Sequence, residues 1–439
     1  MKKIALFLVV GLITLLLFST AAAQPSSYDS GFQVQNLSAT DDANVVITYY
    51  NKDGSVDTTV SATIAADSST TFFPIGASVG FDGSVVISSD QEIAAITNVL
   101  GDGFDFGASY GGFSAGAGSV NLPLIMKDNY YYSTWFNVQN AGSADTTVTV
   151  TYGGTSCTET ATIEPGAAAT FDQATNTCLA SGFVGAATVT ADSGGSIVAT
   201  VIETGVSTLY AYNGFTGSSM EPVMPLVQAN NVGYQTGIQI QNTGGSSTSV
   251  TVSYTPAGTG TACTETQTIA AGQSETFALY AMSLPGSTSS TCTFGQHFIG
   301  SGSVTGNSTS QGLVAIVNQT DFIDKGSAYN AFDPASATTS LVMPLIMDQN
   351  YGYFTGFNVQ NSDTSTIDLT CTFSGQPSTF DVTATLAPGE AVNHLQYDWL
   401  PDYYVGSATC TADGNILGVV NELNYASGDQ LFTYEAFNQ

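Results

Sequence analysis

Gly31-Phe32-Gln33-Val34-Gln35-Asn36 returns three times along this 439-residue chain, as Trp135-Phe136-Asn137-Val138-Gln139-Asn140, as Gly237-Ile238-Gln239-Ile240-Gln241-Asn242 and as Gly356-Phe357-Asn358-Val359-Gln360-Asn361. The closing asparagines are 104, 102 and 119 residues apart. Each copy alternates apolar and polar side chains, the period of a half-buried strand. Self-similarity at a fixed spacing means that one supersecondary unit is built four times.

Working outward, each copy is followed by a polar turn and a second alternating strand, such as Thr147 to Tyr152 or Ser249 to Tyr254. Then come Thr63-Ile64, Thr162-Ile163, Thr268-Ile269 or Thr385-Leu386. Turns such as Glu164-Pro165-Gly166 and Ala387-Pro388-Gly389 reverse the chain there. A nearly all-apolar strand of the Ile197 to Ile202 type follows, and an aromatic one closes each unit: Tyr110 to Phe113, Tyr212 to Phe215, Tyr329 to Phe332 and Tyr434 to Phe437. Leu122-Pro123-Leu124, Met224-Pro225-Leu226 and Met343-Pro344-Leu345 open units two to four as edge strands. Only Gln24 to Ser30 stands in that place in unit one, so its first strand is expected to be missing or very short.

Six or seven short strands per unit without a helical period describe an antiparallel sandwich. The units resemble the bacterial immunoglobulin-like repeats of surface and secreted proteins, on the strand, Pro-Gly turn and Phe-ended strand of Ile163-Glu164-Pro165-Gly166 with Phe171. The resemblance implies an all-β chain of four tandem immunoglobulin-like sandwich domains, at 24–118, 119–221, 222–340 and 341–439. It says little about function, because such modules serve as spacers, adhesins and binding domains alike.

Lys2 and Lys3, an apolar run from Ile4 to Phe18 and Ala21-Ala22-Ala23 read as a signal peptide over residues 1–23. No later segment is long and apolar enough to span a bilayer. Cleavage would remove two of the five lysines and no acid, taking the net charge from −30 to −32. Such a field repels nucleic acid and anionic membranes and favours cations. With aromatic residues at 11% and charged ones at only 9%, the chain is nonetheless a folded one. The expected location is secreted, extracellular or at the cell surface.

The six cysteines fall two to a unit in units two to four, which in an exported chain points to disulfides within each unit. Cys157 pairs with Cys178 and Cys263 with Cys292 on this reading, and Cys371 with Cys410. Aligned on the repeats, the last pair replaces Val150 and Val189, Val252 and Val304, and Ile47 and Ile87 of the other units. Those pairs are therefore expected to be core neighbours. Unit one, with neither a disulfide nor a full first strand, should be the weakest.

Little in the sequence carries catalysis. Gly112-Phe113-Ser114-Ala115-Gly116 matches a nucleophile elbow but leads toward a strand, where the elbow needs a helix. His394 replaces Phe72, Phe171 and Phe277, which makes it a packing residue, and His297 is the one other histidine. Glu203 and Glu422 sit at equivalent strand ends as carboxylates expected to face solvent. Asp53, Asp57, Asp102 and Asp105 lie in acidic loops and are the candidate calcium ligands, making calcium the one candidate cofactor. Tyr130, Trp399 and Tyr403 are the candidate carbohydrate-stacking residues. Tyr132, recurring as Tyr28, Tyr234 and Tyr353, reads as framework. The expected function is that of a non-enzymatic surface-layer, filament or matrix component, with a carbohydrate- or cell-binding adhesin as the alternative. Partners would be other surface proteins, further copies or glycans. With three Pro-Leu strands serving four units, no spare strand exists for donation between copies.

Overall fold

The computed structural model describes residues 25–103, 105–279, 287–308 and 310–439, and the expected signal peptide lies outside the described residues. Apart from two 3-10 turns at Pro334–Ser336 and Ser378–Phe380, its regular structure is all β, in antiparallel sheets. No helix of the described residues is long and apolar enough to cross a membrane.

The first unit contains β1 (Tyr28–Asn36), β2 (Ala43–Asn51), β3 (Val56–Ile64), β4 (Ser69–Phe72), β5 (Gly83–Ser89), β6 (Ile93–Gly101) and β7 (Phe106–Gly111). Its sheets run β4-β1-β6-β7 and β3-β2-β5. The second contains β8 (Ser119–Lys127), β9 (Ser133–Asn140), β10 (Thr146–Tyr152), β11 (Thr158–Ile163), β12 (Ala168–Asp172), β13 (Phe183–Ala191), β14 (Ile197–Thr204) and β15 (Leu209–Asn213), in sheets β11-β10-β13-β8 and β12-β9-β14-β15. Among the described residues, unit one thus repeats unit two without β8. In the third unit come β16 (Val223–Ala229), β17 (Gln235–Asn242), β18 (Thr248–Thr259), β19 (Cys263–Ile269), β20 (Ser274–Phe277), β21 (Ser287–Ser290), β22 (Phe298–Gly306), β23 (Leu313–Thr320) and β24 (Gly326–Asn330). The fourth has β25 (Thr338–Asp348), β26 (Tyr353–Asn361), β27 (Ile367–Phe373), β28 (Val382–Leu386), β29 (Ala391–Leu395), β30 (Tyr404–Asn424), β31 (Leu431–Glu435) and β32 (Phe437–Asn438). There the 21 residues of β30 serve both sheets, pairing with β27 and β25 early and with β26 and β31 late.

An immunoglobulin domain keeps its first, second, fifth and fourth strands in one sheet. Here the first strand joins the sixth, third and fourth, while the seventh crosses over to pair with the second. Strand and turn signals locate strands but do not choose their neighbours, so this order was not legible in the sequence.

Counting strands by their unit-two equivalents, the recurrent motif is the second strand of each unit, β1 in unit one, and its closing asparagine explains its persistence. Asn36, Asn140, Asn242 and Asn361 are buried, and each donates its amide to two carbonyls: of Asp41 and Ile64, Ala144 and Ile163, Ser246 and Ile269, Ser365 and Leu386. One side chain thus ties three chain segments at a sandwich corner, and removing it would orphan buried carbonyls. The expected core pairs stand directly opposite one another: Val150 and Val189, Val252 and Val304, Ile47 and Ile87, in the register of Cys371 and Cys410. Disulfides join Cys157 to Cys178, Cys263 to Cys292 and Cys371 to Cys410.

The units do not hang as beads. Ile316 of unit three packs into the core of unit two, Val419 of unit four into that of unit three, and Ile96 of unit one into that of unit four. These three residues occupy equivalent positions on the seventh strand, facing away from their own sandwich. Between units one and two, Val99 and Ala108 meet Ile202, Leu209 and Ala211. Each contact joins unlike surfaces, and four of them close a ring, the heterologous arrangement of a cyclic tetramer inside one chain.

Candidate binding face

The centre of the ring is lined by the eighth strands β7, β15, β24 and β31, which touch one another in turn. At one end, equivalent residues link neighbour to neighbour. Glu435 accepts the Asn330 amide at 2.6 Å, Asn330 accepts the Asn213 amide at 3.0 Å, and the Asn213 side chain donates to the Gly111 carbonyl at 2.8 Å. At the other end Asp429 of unit four accepts the Leu209 amide at 2.5 Å and the Gly326 amide at 2.7 Å, and its own amide donates to the Asp105 carbonyl at 2.8 Å. One residue therefore touches all three other units, two through its carboxylate and one through its backbone amide. Burial holds its carboxyl well above the ordinary range, against the pull of those two amides and of the Lys325 ammonium.

Around Asp429 lie the loops that lead into the eighth strands and the hairpins that join first to second strands. These hairpins turn at Asn129 to Tyr132, Asn231 to Tyr234 and Asn350 to Tyr353. Their two central residues both have positive φ: Tyr130 (46°) and Tyr131 (75°), Val232 (52°) and Gly233 (93°), Tyr351 (50°) and Gly352 (86°). This tight turn suits glycine, whereas a β-branched or aromatic residue there is strained. Nothing in the packing offsets that strain, since Tyr130, Val232 and Tyr351 are 87%, 90% and 88% exposed. Since equivalent loops of a head-to-tail ring share one end of its axis, the three tips crown one face.

The crown thickens at unit four. Phe354, Tyr397 and Tyr425 cluster with ring centroids 4.8 to 5.9 Å apart, and Asn424 donates to the Tyr351 carbonyl. Asp348, at the end of β25, accepts the amides of Asp398, Trp399 and Leu400 and so shapes the loop carrying Trp399 and Tyr403. The Trp399 indole donates to the Phe380 carbonyl and stands edge-on to His394, leaving it 41% exposed, while Tyr403 is 72% exposed. Of the expected sugar-binding set, Trp399 and Tyr403 share this loop, and Tyr130 belongs to unit two across the ring. Tyr130 also recurs, as Tyr351. Sequence reading passed over Tyr351, Tyr397 and Tyr425. The first was within reach, because Asn350-Tyr351-Gly352-Tyr353 aligns with Asn129-Tyr130-Tyr131-Tyr132.

The acidic loops do not converge. Asp53 accepts from the Ser55 amide and hydroxyl within its own turn, Asp57 accepts the Ser78 amide, and Asp102 binds the amides of Ser26 and Ser27. Asp105 meets Asp429 through its backbone. Among the described residues no group of three or more His, Cys, Asp or Glu side chains is arranged to hold a metal. The lysines at 52, 127 and 325 are engaged by Asp82, by the Asn176 carbonyl, and by Asp324 with the carbonyls of Ala426 and Gly428.

One expectation is overturned: Glu203 and Glu422 do not face solvent but are fully buried. Glu203 shares the inward parity of Ala199 and Val201, and Asn318 of unit three donates to it at 2.8 Å. Burial pushes each carboxyl up to about 8. Gln319 fills the same place in unit three, binding Gln228 and Asn421. His394 packs on Phe357 opposite it in the sheet, and burial pushes its imidazole down to about 4. Ser114 stands on an exposed segment followed by β8, with no helix to make an elbow.

Comparison of the sequence with protein-family models and with curated proteins gives no match.

Proposed function

We propose that the chain is an exported, non-enzymatic structural protein of a cell surface, filament or extracellular matrix. Its four tandem sandwich domains, immunoglobulin-like in architecture though not in strand order, follow a signal peptide. The observation that carries this reading is where the repeated side chains go. The corner asparagines are spent on holding each sandwich, and the outward apolar residues of the seventh strands and the Asn213, Asn330 and Glu435 links on holding the ring. Three disulfides fit an oxidising compartment. Calcium enters as a counter-ion for acidic faces, tested by whether EDTA lowers the melting temperature at low salt. Immunogold labelling of the native protein is expected to decorate the cell exterior or shed matrix, and label confined to the cytoplasm, with thiols reduced, would sink the proposal.

The crown of exposed aromatic tips favours a second reading, a carbohydrate- or cell-binding adhesin. Tyrosines beside an edge-standing tryptophan suit the apolar faces of pyranose rings. Glycan-array binding lost in Trp399→Ala and Tyr425→Ala would move the weight there.

A further inference from the structure

In units two to four the first strand fills a slot between two units. Its edge pairs with the sixth strand of its own sandwich, as β8 with β13, β16 with β22 and β25 with β30. It also meets the second strand of the next unit, β8 against β17, β16 against β26 and β25 against β1. A tyrosine of the eighth strand locks it: Tyr212, Tyr329 and Tyr434 donate to the carbonyls of Leu124, Leu226 and Leu345, each just after the strand's proline.

In unit one no described residue fills that slot. Among the described residues no strand pairs with the outer edge of β5. A cleft of about 1810 Å³ opens there, with Ile87, Ile93 and Tyr110 of unit one among its lining and Trp135, Asn137 and Thr200 of unit two. Ile87, Ile93 and Tyr110 are half-buried, whereas their equivalents Val189, Ile197 and Tyr212 are buried. Thr200 stands where Ile96, Ile316 and Val419 make their contacts with the neighbouring cores.

We propose that this cleft binds an extended strand of another polypeptide, one with the chemistry of the three internal occupants: apolar, any, apolar, proline, apolar, as in Val120-Asn121-Leu122-Pro123-Leu124. The inference goes beyond the structural reading above, since an adhesin could use the same slot. Two observations choose an outside donor. The hairpin that returns β8 to its slot is closed by the Asn129 amide donating to the Tyr132 carbonyl, and Pro25, at the position equivalent to Asn129, has no such amide. The Ser26 and Ser27 amides instead bind Asp102, and Ser27 accepts the Asp102 amide, leading the chain along β6. Nor is the donor one of the three described Pro-Leu strands, which all have slots of their own. Asp29, Asp82, Glu92 and Asp172 line the cleft against one lysine, Lys52, so a neutral or cationic strand fits better than an acidic one.

The test uses a synthetic peptide of Ser119–Lys127 with the full chain and with the chain from Gln24. Saturable binding to the shorter chain is expected, with at least about tenfold slower amide exchange confined to Gly83–Ser89. Thr200→Trp, which fills the cleft from its far wall, should abolish binding without lowering the melting temperature. Tyr110→Phe should weaken it about five-fold, the worth of one neutral hydrogen bond. A peptide carrying Asp in place of Leu122 should not bind. Absence of protection at β5 overturns the proposal. So does a full chain whose β5 is already protected, which would make residues 15–23 the occupant, or peptide-blocking self-association of the shorter chain, which would make it a second copy.

Discussion

Units one and four share one register and differ in what closes it. Where Cys371 and Cys410 are bonded across β27 and β30, Ile47 and Ile87 merely face each other across β2 and β5. Where β25 seals the fourth sandwich and Tyr434 pins it, the first has an edge that no described strand covers and a half-buried Tyr110. Four near-identical frameworks thus make a ring with one deliberately different seam, and the difference lies in a strand and a crosslink rather than in any catalytic group.

The crosslink offers the largest effect with which to break the comparison. Cys371→Ala with Cys410→Ala should cost unit four about 2–5 kcal/mol, while Ile47→Cys with Ile87→Cys should form a bridge and raise the melting temperature of unit one, both read by denaturation under oxidising conditions. If the second pair fails to oxidise, the two registers are not equivalent. Asp429→Ala comes next: it leaves the Leu209 and Gly326 amides unpaired and should cost about 2–3 kcal/mol in chemical denaturation. A loss below about 0.5 kcal/mol would mean that the loops do not meet around this residue.

The buried acids give a pH signature absent from unit one, whose residue at that place is Val99. With folded values of about 8 against 4.5, Glu203 and Glu422 hold their protons longer in the folded chain. Their contribution is full below about 4.5 and is lost as pH rises through about 8, so stability should fall across that window. Glu203→Gln with Glu422→Gln, copying Gln319, should flatten the fall, and an unchanged slope would contradict the burial. The smallest expected change, within ~0.5 kcal/mol, is for Thr200→Val, because no described strand fills the slot it faces. A loss like that of a core substitution would show the slot to be filled.

Strands, turns, core pairs and disulfides were legible because each rests on local periodicity or on paired substitution across copies. The ring was only half legible. A nearly all-apolar strand such as Ile197 to Ile202 signals burial on both faces, and Ile96, Ile316 and Val419 are the outward half of that signal, but nothing local says what covers them. Glu203 and Glu422 misled differently: a carboxylate at a strand end reads as exposed, although both continue the inward-facing parity of their strands. The crown was obscured because Tyr130 and Val232 share a backbone turn and not a residue type.

Small-angle scattering tests ring closure most directly. A closed body formed by the chain from Pro25 onward requires a radius of gyration near ~22 Å, nearly independent of salt. A value above about 35 Å, or one that grows as salt is withdrawn, would mean four sandwiches strung in a line and would contradict the closed ring.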